Sequence, residues 1–576
     1  MRAEKQKSFK YLKPHLPFIL LALLFTTFRV VQLYCCRHVA HPEEAVLGLF
    51  IKHVIEGDSP VTLSNYFLSY SGGSLISCLL SLPLCKMFGV SILSLRWCSF
   101  LHSAAILLLL YCFVRRFWGG TAAIFAALFY VLSPPSYSHY TSLFLSGEYL
   151  VIFLDIGLMY ILLAMFVPQG GCGERKRMFL TAALGFGSGL AVYFLFSSVL
   201  FAVLAFGTWL MLRGRSLRRG ELLLYGTFLL LGLLPYFYFS FLYPEQSRLF
   251  LGSLLEAPAG LAQKIRWFFP FLVSEFTRSF HFEFFGYYPG RACWNYIYVL
   301  IFCGAWLHLI WVNRSFFRSM TTVLFLKGKE KLGAPSDVRP ESPLLLLPVL
   351  FIVACFFSAY CRPPFFHYRY FFPLYPMFQI FCAVSLSSLF SGKGRAVKAC
   401  ALAVVSFIVL ISWRGVTGIA GKQDFWESYP LPETISRLKE KGIEYVYTEY
   451  FLKWQILFES GEEIIASCEG MPFFYFSDFE GVSDSRVYGS PYRLGEKVVD
   501  NAVRQGVSYA YLFRLDPRLP YYGMLKNYLS AAGVEYQMET FGNELVLFYG
   551  FGRPVTPAQA GLESGMKKYL RTNGER

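Results

Sequence analysis

The sequence predicts a mainly α-helical, polytopic membrane protein that ends in a small α/β unit. Three observations carry this. The chain is 55% hydrophobic and only 16% charged, whereas soluble proteins carry about a quarter charged residues. Aromatic residues make up 19%, with 60 Phe and 38 Tyr; this exceeds what one buried core takes up and suits many bilayer spans flanked by aromatic belts. The net charge of +16 is divided among short Lys/Arg clusters between apolar runs. That is the pattern of cytoplasmic loops, not of one nucleic-acid-binding patch, so no nucleic-acid partner is expected.

A bilayer-crossing helix needs about 20 apolar residues. Candidate runs are 17–34, 74–90, 92–113, 119–138, 148–167, 178–212, 221–242, 292–313, 343–361, 369–390 and 399–418. The first follows a basic start (Lys5, Lys7, Lys10, Lys13) without a small-residue cleavage site, so it reads as a retained span. The 178–212 run is too long for one helix and is basic at both ends (Arg175, Lys176, Arg177; Arg213, Arg215, Arg218, Arg219). It predicts two short crossings, broken at Gly185, Gly187 and Gly189. The basic segments 1–16, 174–177, 213–219, 314–331 and 393–398 are assigned to the cytoplasm, and 35–73 and 243–291 to the outside. Three full crossings between 74 and 148 would invert the later clusters. The 74–90 run is therefore predicted to be re-entrant or tilted, with the cytoplasmic turn at Arg115 and Arg116. About eleven crossings follow, N-terminus inside and C-terminus outside.

Past residue 420 the composition changes. Residues 424–550 read as an extracytoplasmic α/β domain: a polar-faced helix from Pro432 to Lys441, strands at Ile443–Glu449 and Val507–Phe513, and a hairpin from Val534 to Phe548 turning at Gly542-Asn543. Residues 555–576 are polar and read as a flexible tail. Most of the 14 Cys lie in apolar runs, without a CxxC pair, which disfavours a zinc or redox motif.

The candidate chemistry starts in the first external loop. His41-Pro42-Glu43-Glu44-Ala45 has the form of a helix start, where Pro and acids are favoured in any case. It is followed by Gly48, Glu56-Gly57-Asp58-Ser59-Pro60, Tyr66, Tyr70, Gly72-Gly73, then Phe88-Gly89-Val90-Ser91 and Leu95-Arg96. Further on come Ser133-Pro134, Ser146-Gly147-Glu148-Tyr149, and Tyr368-Arg369-Tyr370-Phe371-Phe372-Pro373-Leu374-Tyr375-Pro376. Tyr445 to Tyr450 and Phe458-Glu459-Ser460-Gly461-Glu462 close the series.

In order and spacing, these phrases resemble the GT-C superfamily of membrane glycosyltransferases that use lipid-phosphate sugars, in the branch of protein O-mannosyltransferases and the lipid A aminoarabinose transferase. The resemblance covers residues 17 to about 550. It implies a GT-C-like bundle in 17–420, a polyprenyl-phosphate-linked sugar as donor and a glycan, lipid or protein as acceptor. It also implies inverting transfer at the outer face of a bilayer, in a bacterial inner membrane. One carboxylate of the loop pair would be the general base. The first acid, Glu43, aligns with it; because the family more often has Asp there, Glu44 stays a candidate. Glu148 matches a second acid at a later span start, and otherwise reads as a helix N-terminal acid. Asp155 lies deeper, as a pocket or helix-packing residue.

For the donor phosphate the resemblance offers Arg362, His367, Arg369 and Tyr370, which also fit interfacial anchoring, and Arg96, which also fits a cytoplasmic flank charge. Tyr66, Tyr70, His281 and Glu283 are assigned to substrate loops. Residues 243–291 read as a long aromatic loop, or as an amphipathic helix on the membrane surface. Glu275, His281 and Glu283 are the residues that would hold a divalent metal, Mg or Mn. Two rival readings remain: a lipid-linked-sugar transporter or flippase, which the absence of an inverted repeat disfavours, and a non-catalytic subunit with the same fold.

Overall fold

A computed structural model describes residues 15–35, 41–57, 73–166, 173–195, 198–213, 217–242, 261–279, 293–318, 339–357, 374–391, 394–420, 430–468, 492–515, 520–562 and 564–565. The membrane part is a bundle of helices α1 (Leu16–Cys35), α2 (Pro42–Glu56), α3 (Gly73–Phe88), α4 (Ile92–Trp118), α5 (Gly120–Val131), α6 (Pro135–Tyr140), α7 (Ser146–Phe166), α8 (Glu174–Phe194), α9 (Val199–Arg213), α10 (Arg219–Leu242), α11 (Leu261–Ser279), α12 (Cys293–Val312), α13 (Leu347–Phe357), α14 (Tyr375–Ser391) and α15 (Arg395–Ala420). Stretches of α1, α4, α8 and α10 are long and apolar enough to cross a bilayer, and seven further helices are apolar but shorter.

The bundle has two chemically distinct ends. At one, Arg115 Nη1 meets His15 Nδ1 at 2.8 Å, Trp118 donates to Glu341 at 2.8 Å, and Arg213 grips the buried Glu221 with two contacts of 2.8 Å. This is the end predicted to be cytoplasmic. At the other end α2 and α3 lie together. Leu75, Cys78 and Cys85 of α3 pack with Leu47, Phe50 and Ile51 of α2, with Leu95 and Cys98 in the first two turns of α4, and with Phe144. Helix α3 thus packs beside α2 and the start of α4.

The prediction for 178–212 needs correction. Two helices form, but the first runs to Phe194 and the next starts at Val199, and Gly185, Gly187 and Gly189 lie inside α8. Two of these glycines serve close approach. A Cβ on Gly185 would sit 2.4 Å from the Tyr225 carbonyl oxygen, and one on Gly189 2.2 Å from that of Leu229, with Gly232 of α10 opposite. Small residues let helix backbones meet where no apolar driving force distinguishes helix from lipid. The 243–291 segment is also not wholly irregular. Residues 261–279 form α11, the amphipathic alternative, with Phe268 edge-on to Phe356 at 5.1 Å while Phe269 and Val273 stay exposed.

The C-terminal part is a three-layer unit. Its elements are α16 (Leu431–Glu440), β1 (Tyr445–Thr448), α17 (Tyr450–Glu459), β2 (Ile465–Ser467), α18 (Tyr492–Arg504), β3 (Tyr509–Arg514), α19 (Tyr521–Ala531), β4 (Gln537–Phe541) and β5 (Leu545–Tyr549). The sheet order is β2-β1-β3-β5-β4, with β1 parallel to β2 and β3, and β5 antiparallel to β3 and β4. Strand alternation sorts the side chains. Val446, Ala510, Leu512 and Leu547 face α16 and α17, whereas Tyr447, Tyr511, Phe513 and Phe548 face α18 and α19. Ala45, Val46 and Leu49 of α2 join the first of these cores, so the sheet unit rests on α2. The expected flexible tail is corrected in its first part. Val555 and Leu562 are buried against the second face, and Val555 exchanges backbone hydrogen bonds with the Tyr509 and Tyr511 hydroxyls at 2.7 and 3.0 Å. Residues 566–576 lie outside the described residues.

Candidate functional site

Helix α2 starts where the sequence places it. His41 is its N-cap: its ring Nδ1 accepts from the Glu43 N–H at 3.2 Å, and its own N–H donates to Glu44 Oε2 at 2.9 Å. This reciprocal arrangement satisfies donors that a helix start leaves open. Pro42 occupies the first turn, as its fixed φ favours.

The two acids part company here. Glu44 is fully buried, and four donors converge on its carboxylate: Arg96 Nε at 3.0 Å, Arg96 Nη2 at 2.8 Å, the Phe144 N–H at 2.8 Å and the His41 N–H. Burial works to raise its pKa, but the Arg96 guanidinium and these hydrogen bonds together hold the carboxyl below the usual range. Glu44 is therefore an anion fixed in place. Glu43, one position earlier, is only half-buried.

Arg96 lies in the second turn of α4, at the opposite end of that helix from Arg115. Its side chain is 1% exposed, and its Nε and Nη2 close on the Glu44 carboxylate. The acid-arginine pair ties α2 to α4, and the Phe144 amide ties both to the segment before α7.

Glu148 stands in the first turn of α7, four residues after Phe144, but its side chain lies outside the described residues. The same holds for Tyr66, Tyr70, His281, Glu283, Arg362, His367, Arg369, Tyr370 and the Glu275 side chain. Among the described residues, His, Cys, Asp and Glu form no group of three that could hold a metal. The described part thus does not supply a fitting metal site. Asp155 is buried in α7 and accepts from Ser198, the residue just before α9, at 3.4 Å.

One cluster escaped the sequence reading. Arg29, inside the first apolar run, is buried and donates to the Ser138 carbonyl and the Ser142 hydroxyl, to Thr141 Oγ1 at 2.6 Å and to Ser103 Oγ at 3.5 Å, with Gln32 alongside. It fastens α1 to α4 and to the 138–142 segment just before Phe144. The available signal was an ionisable residue within a span, which is costly and marks a specific partner. Near it the Tyr137 and Tyr375 rings stack at 4.2 Å, so the phrase Tyr375-Pro376 does reach the bundle interior.

A helical membrane bundle whose acidic helix start is covered by a docked α/β unit is the class that fold and site define. Comparison with known proteins makes it more specific. Residues 78–239 match the family model described as dolichyl-phosphate-mannose-protein mannosyltransferase. The fold is similar to that of ArnT from Cupriavidus metallidurans bound to undecaprenyl phosphate, with a TM-score of 0.59 at 13% identity over 92% of this chain and 97% of that one. It is also similar to the oligosaccharyltransferase of Archaeoglobus fulgidus in a complex with Zn and sulfate (TM-score 0.51, 15% identity, 93% of this chain and 72% of that one). A second structure from that organism, AglB with an inhibitory peptide and a dolichol-phosphate, gives a TM-score of 0.50 at 14% identity over 97% and 78%. No curated protein sequence matches the chain. Family model and fold together bear out the GT-C resemblance: this is an integral membrane protein with the GT-C-type fold.

Proposed function

We propose that the chain is an inverting glycosyltransferase that moves a sugar from a polyprenyl-phosphate donor to an acceptor hydroxyl at the outer face of the membrane, with Glu43 as general base. The observation that carries the choice of base is the division of labour in the acidic pair. Glu44 has both oxygens committed to Arg96 and two backbone amides, whereas Glu43 is half-buried at the same helix start. A base must reach its substrate's proton, and a carboxylate with four donors already aimed at it is a poor acceptor for another.

In the proposed step the acceptor oxygen attacks C1 of the sugar as its proton passes to the Glu43 carboxylate. The bond from C1 to the phosphate oxygen breaks, and the polyprenyl phosphate leaves with the electron pair. Arg362, His367 and Arg369 remain the proposed phosphate partners, and Glu148 a proposed second acid. ArnT bound to undecaprenyl phosphate and AglB in complex with a dolichol-phosphate support a lipid phosphate as the carrier. The α2 end of the bundle and the sheet unit are then extracytoplasmic, and the Arg115 and Arg213 end is cytoplasmic, in keeping with the positive-inside rule.

The test is Glu43→Gln, assayed with a panel of polyprenyl-phosphate sugars in detergent or proteoliposomes. Loss of the base costs about 100-fold or more in turnover, with the unfolding midpoint unchanged. Full activity in that variant refutes the assignment. Donor-sugar flipping without bond cleavage by the wild type favours a transporter instead.

A further inference from the structure

Helix α2 is gripped at both ends. Its start is held by Arg96 and Phe144; its last two turns are held by the sheet unit. There Glu462 Oε2 meets Lys52 Nζ at 2.7 Å, and both Glu462 oxygens lie 2.8 and 2.9 Å from His53 Nε2. Lys52 also donates to the Gly461 carbonyl at 3.0 Å. Between the two grips, a Cβ on Gly48 would come within 2.3 Å of the Phe458 ring, so α2 and α17 touch with no space between them.

The turn that presents Glu462 is unusual. Gly461 has φ +65 and Glu462 φ +69, and among the described residues Glu462 is the one non-glycine with positive φ. A left-handed glutamate is strained relative to ordinary backbone and persists where surrounding contacts over-determine it. Such strain concentrates at functional contacts. Here it delivers the carboxylate onto two cations more than 400 residues earlier in the chain.

We propose that Glu462 is a positioning residue: by clamping Lys52 and His53 it fixes the far end of α2, and through that rigid helix the Glu43 carboxylate at the near end. The inference rests on the reading of Glu43 as the base. The two ends are nine to ten residues apart, about 14–15 Å at the helical rise. Because Glu44 is pinned beside it, Glu43 sits near the pivot: a swing at the clamp tilts the helix axis and re-aims the Glu43 side chain instead of carrying it the same distance, and a catalytic group tolerates only about 0.5 Å and 10–20° of misplacement.

The clamp has a pH signature. Its hydrogen bond to Glu462 raises His53 from an ordinary 6.5, with partial burial working against it; Lys52 and Glu56 on α2 are the other charges acting on it. The charged His53–Glu462 contact is thus complete below 6.5 and is lost as pH rises through the raised value. For Glu462, burial works upward but His53 and Lys52 hold the carboxyl below its ordinary 4.5, so its contribution is lost only as pH falls through that lowered value.

Two variants of the full-length protein test this. Glu462→Gln removes the charge and keeps the shape. Glu462→Gly removes the carboxylate and suits the left-handed backbone, so a failure to fold cannot account for its effect. Both should lower kcat about tenfold or more while donor KM changes less than about twofold, and both should speed amide hydrogen exchange across residues 48–56 but not in the centres of α5 and α14. Wild-type protection of 48–56, corrected for the intrinsic exchange rate, should fall as pH rises through the raised His53 value, and this step should vanish in Glu462→Gln. Exchange equal to wild type in both variants overturns the clamp. Faster exchange with unchanged kcat overturns the positioning role. A Glu43→Gln protein that keeps full transfer with Glu462 intact overturns the reading of the base, and is seen separately because the exchange measurement needs no activity.

Discussion

Replacing Glu44 with Gln separates a structural acid from a catalytic one more sharply than any other change at the site. The substitution keeps size and removes charge. Of the four donors around the carboxylate, the amide oxygen can serve one side only, and the new NH2 group points at N–H donors. Arg96, with 1% of its side chain exposed, loses the buried carboxylate on which its fork closes. Breaking one partner of such a pair costs about 3–5 kcal/mol, while replacing both by apolar residues of similar volume is often neutral or stabilising. Unfolding in mixed micelles should therefore show Glu44→Gln destabilised by about 3–5 kcal/mol, Arg96→Met by a similar amount, and the double variant Glu44→Leu/Arg96→Met recovering most of the loss. The pH dependence carries the same information. The depressed Glu44 carboxyl contributes stability above its ordinary 4.5 that is lost as pH falls through its lowered folded value, and the double variant should lack this acid limb. Wild-type stability in Glu44→Gln together with lost transfer would show that Glu44, not Glu43, does the chemistry.

Two further changes probe the frame. Gly189→Val places methyl groups where the Leu229 carbonyl oxygen already stands 2.2 Å from a single Cβ. Since the obstacle is backbone, α8 and α10 must separate, at about 1–3 kcal/mol or more, read as a lower unfolding midpoint and loss of monodisperse protein in detergent; an unchanged midpoint refutes the close-approach role. In the sheet unit, Glu449 joins the end of β1 to Arg514 of β3 through two contacts to the guanidinium, one of 2.8 Å. Glu449→Gln should cost about 1–3 kcal/mol, less than the Glu44 change because Arg514 keeps access to water, and should raise proteolytic cleavage within the unit; proteolysis at the wild-type rate counts against that pairing.

What the sequence made legible was local. Apolar runs announced the helices because run length is set by bilayer thickness, and strand alternation at 507–513 and 544–548 announced β3 and β5 because each side chain alternates between two apolar layers. What misled was tertiary. Gly185 and Gly189 look like breakers by propensity, yet their role is set by α10, some 40 residues on. Val555 and Leu562 are two apolar residues in a polar stretch, too few to reveal that the sheet's second face needs them. Arg29 was visible as a charge in a span, but its partners at 138–142 became adjacent only through the fold.

The acidic pair could not be divided on spacing, because both positions satisfy every local rule for a helix start. Geometry divides it. Consecutive helical residues point about 100° apart, so the two acids leave α2 in different directions. Which one turns inward is decided by Arg96 and Phe144, 52 and 100 residues downstream. Once Glu44 is held by four donors, rotation of α2 about its axis is fixed, and with it the direction in which Glu43 points. Glu462 at the far end removes the remaining freedom, the swing. The reacting group proposed here is thus aimed by two other carboxylates, one buried beneath it and one more than 400 residues later, neither of which need touch the sugar.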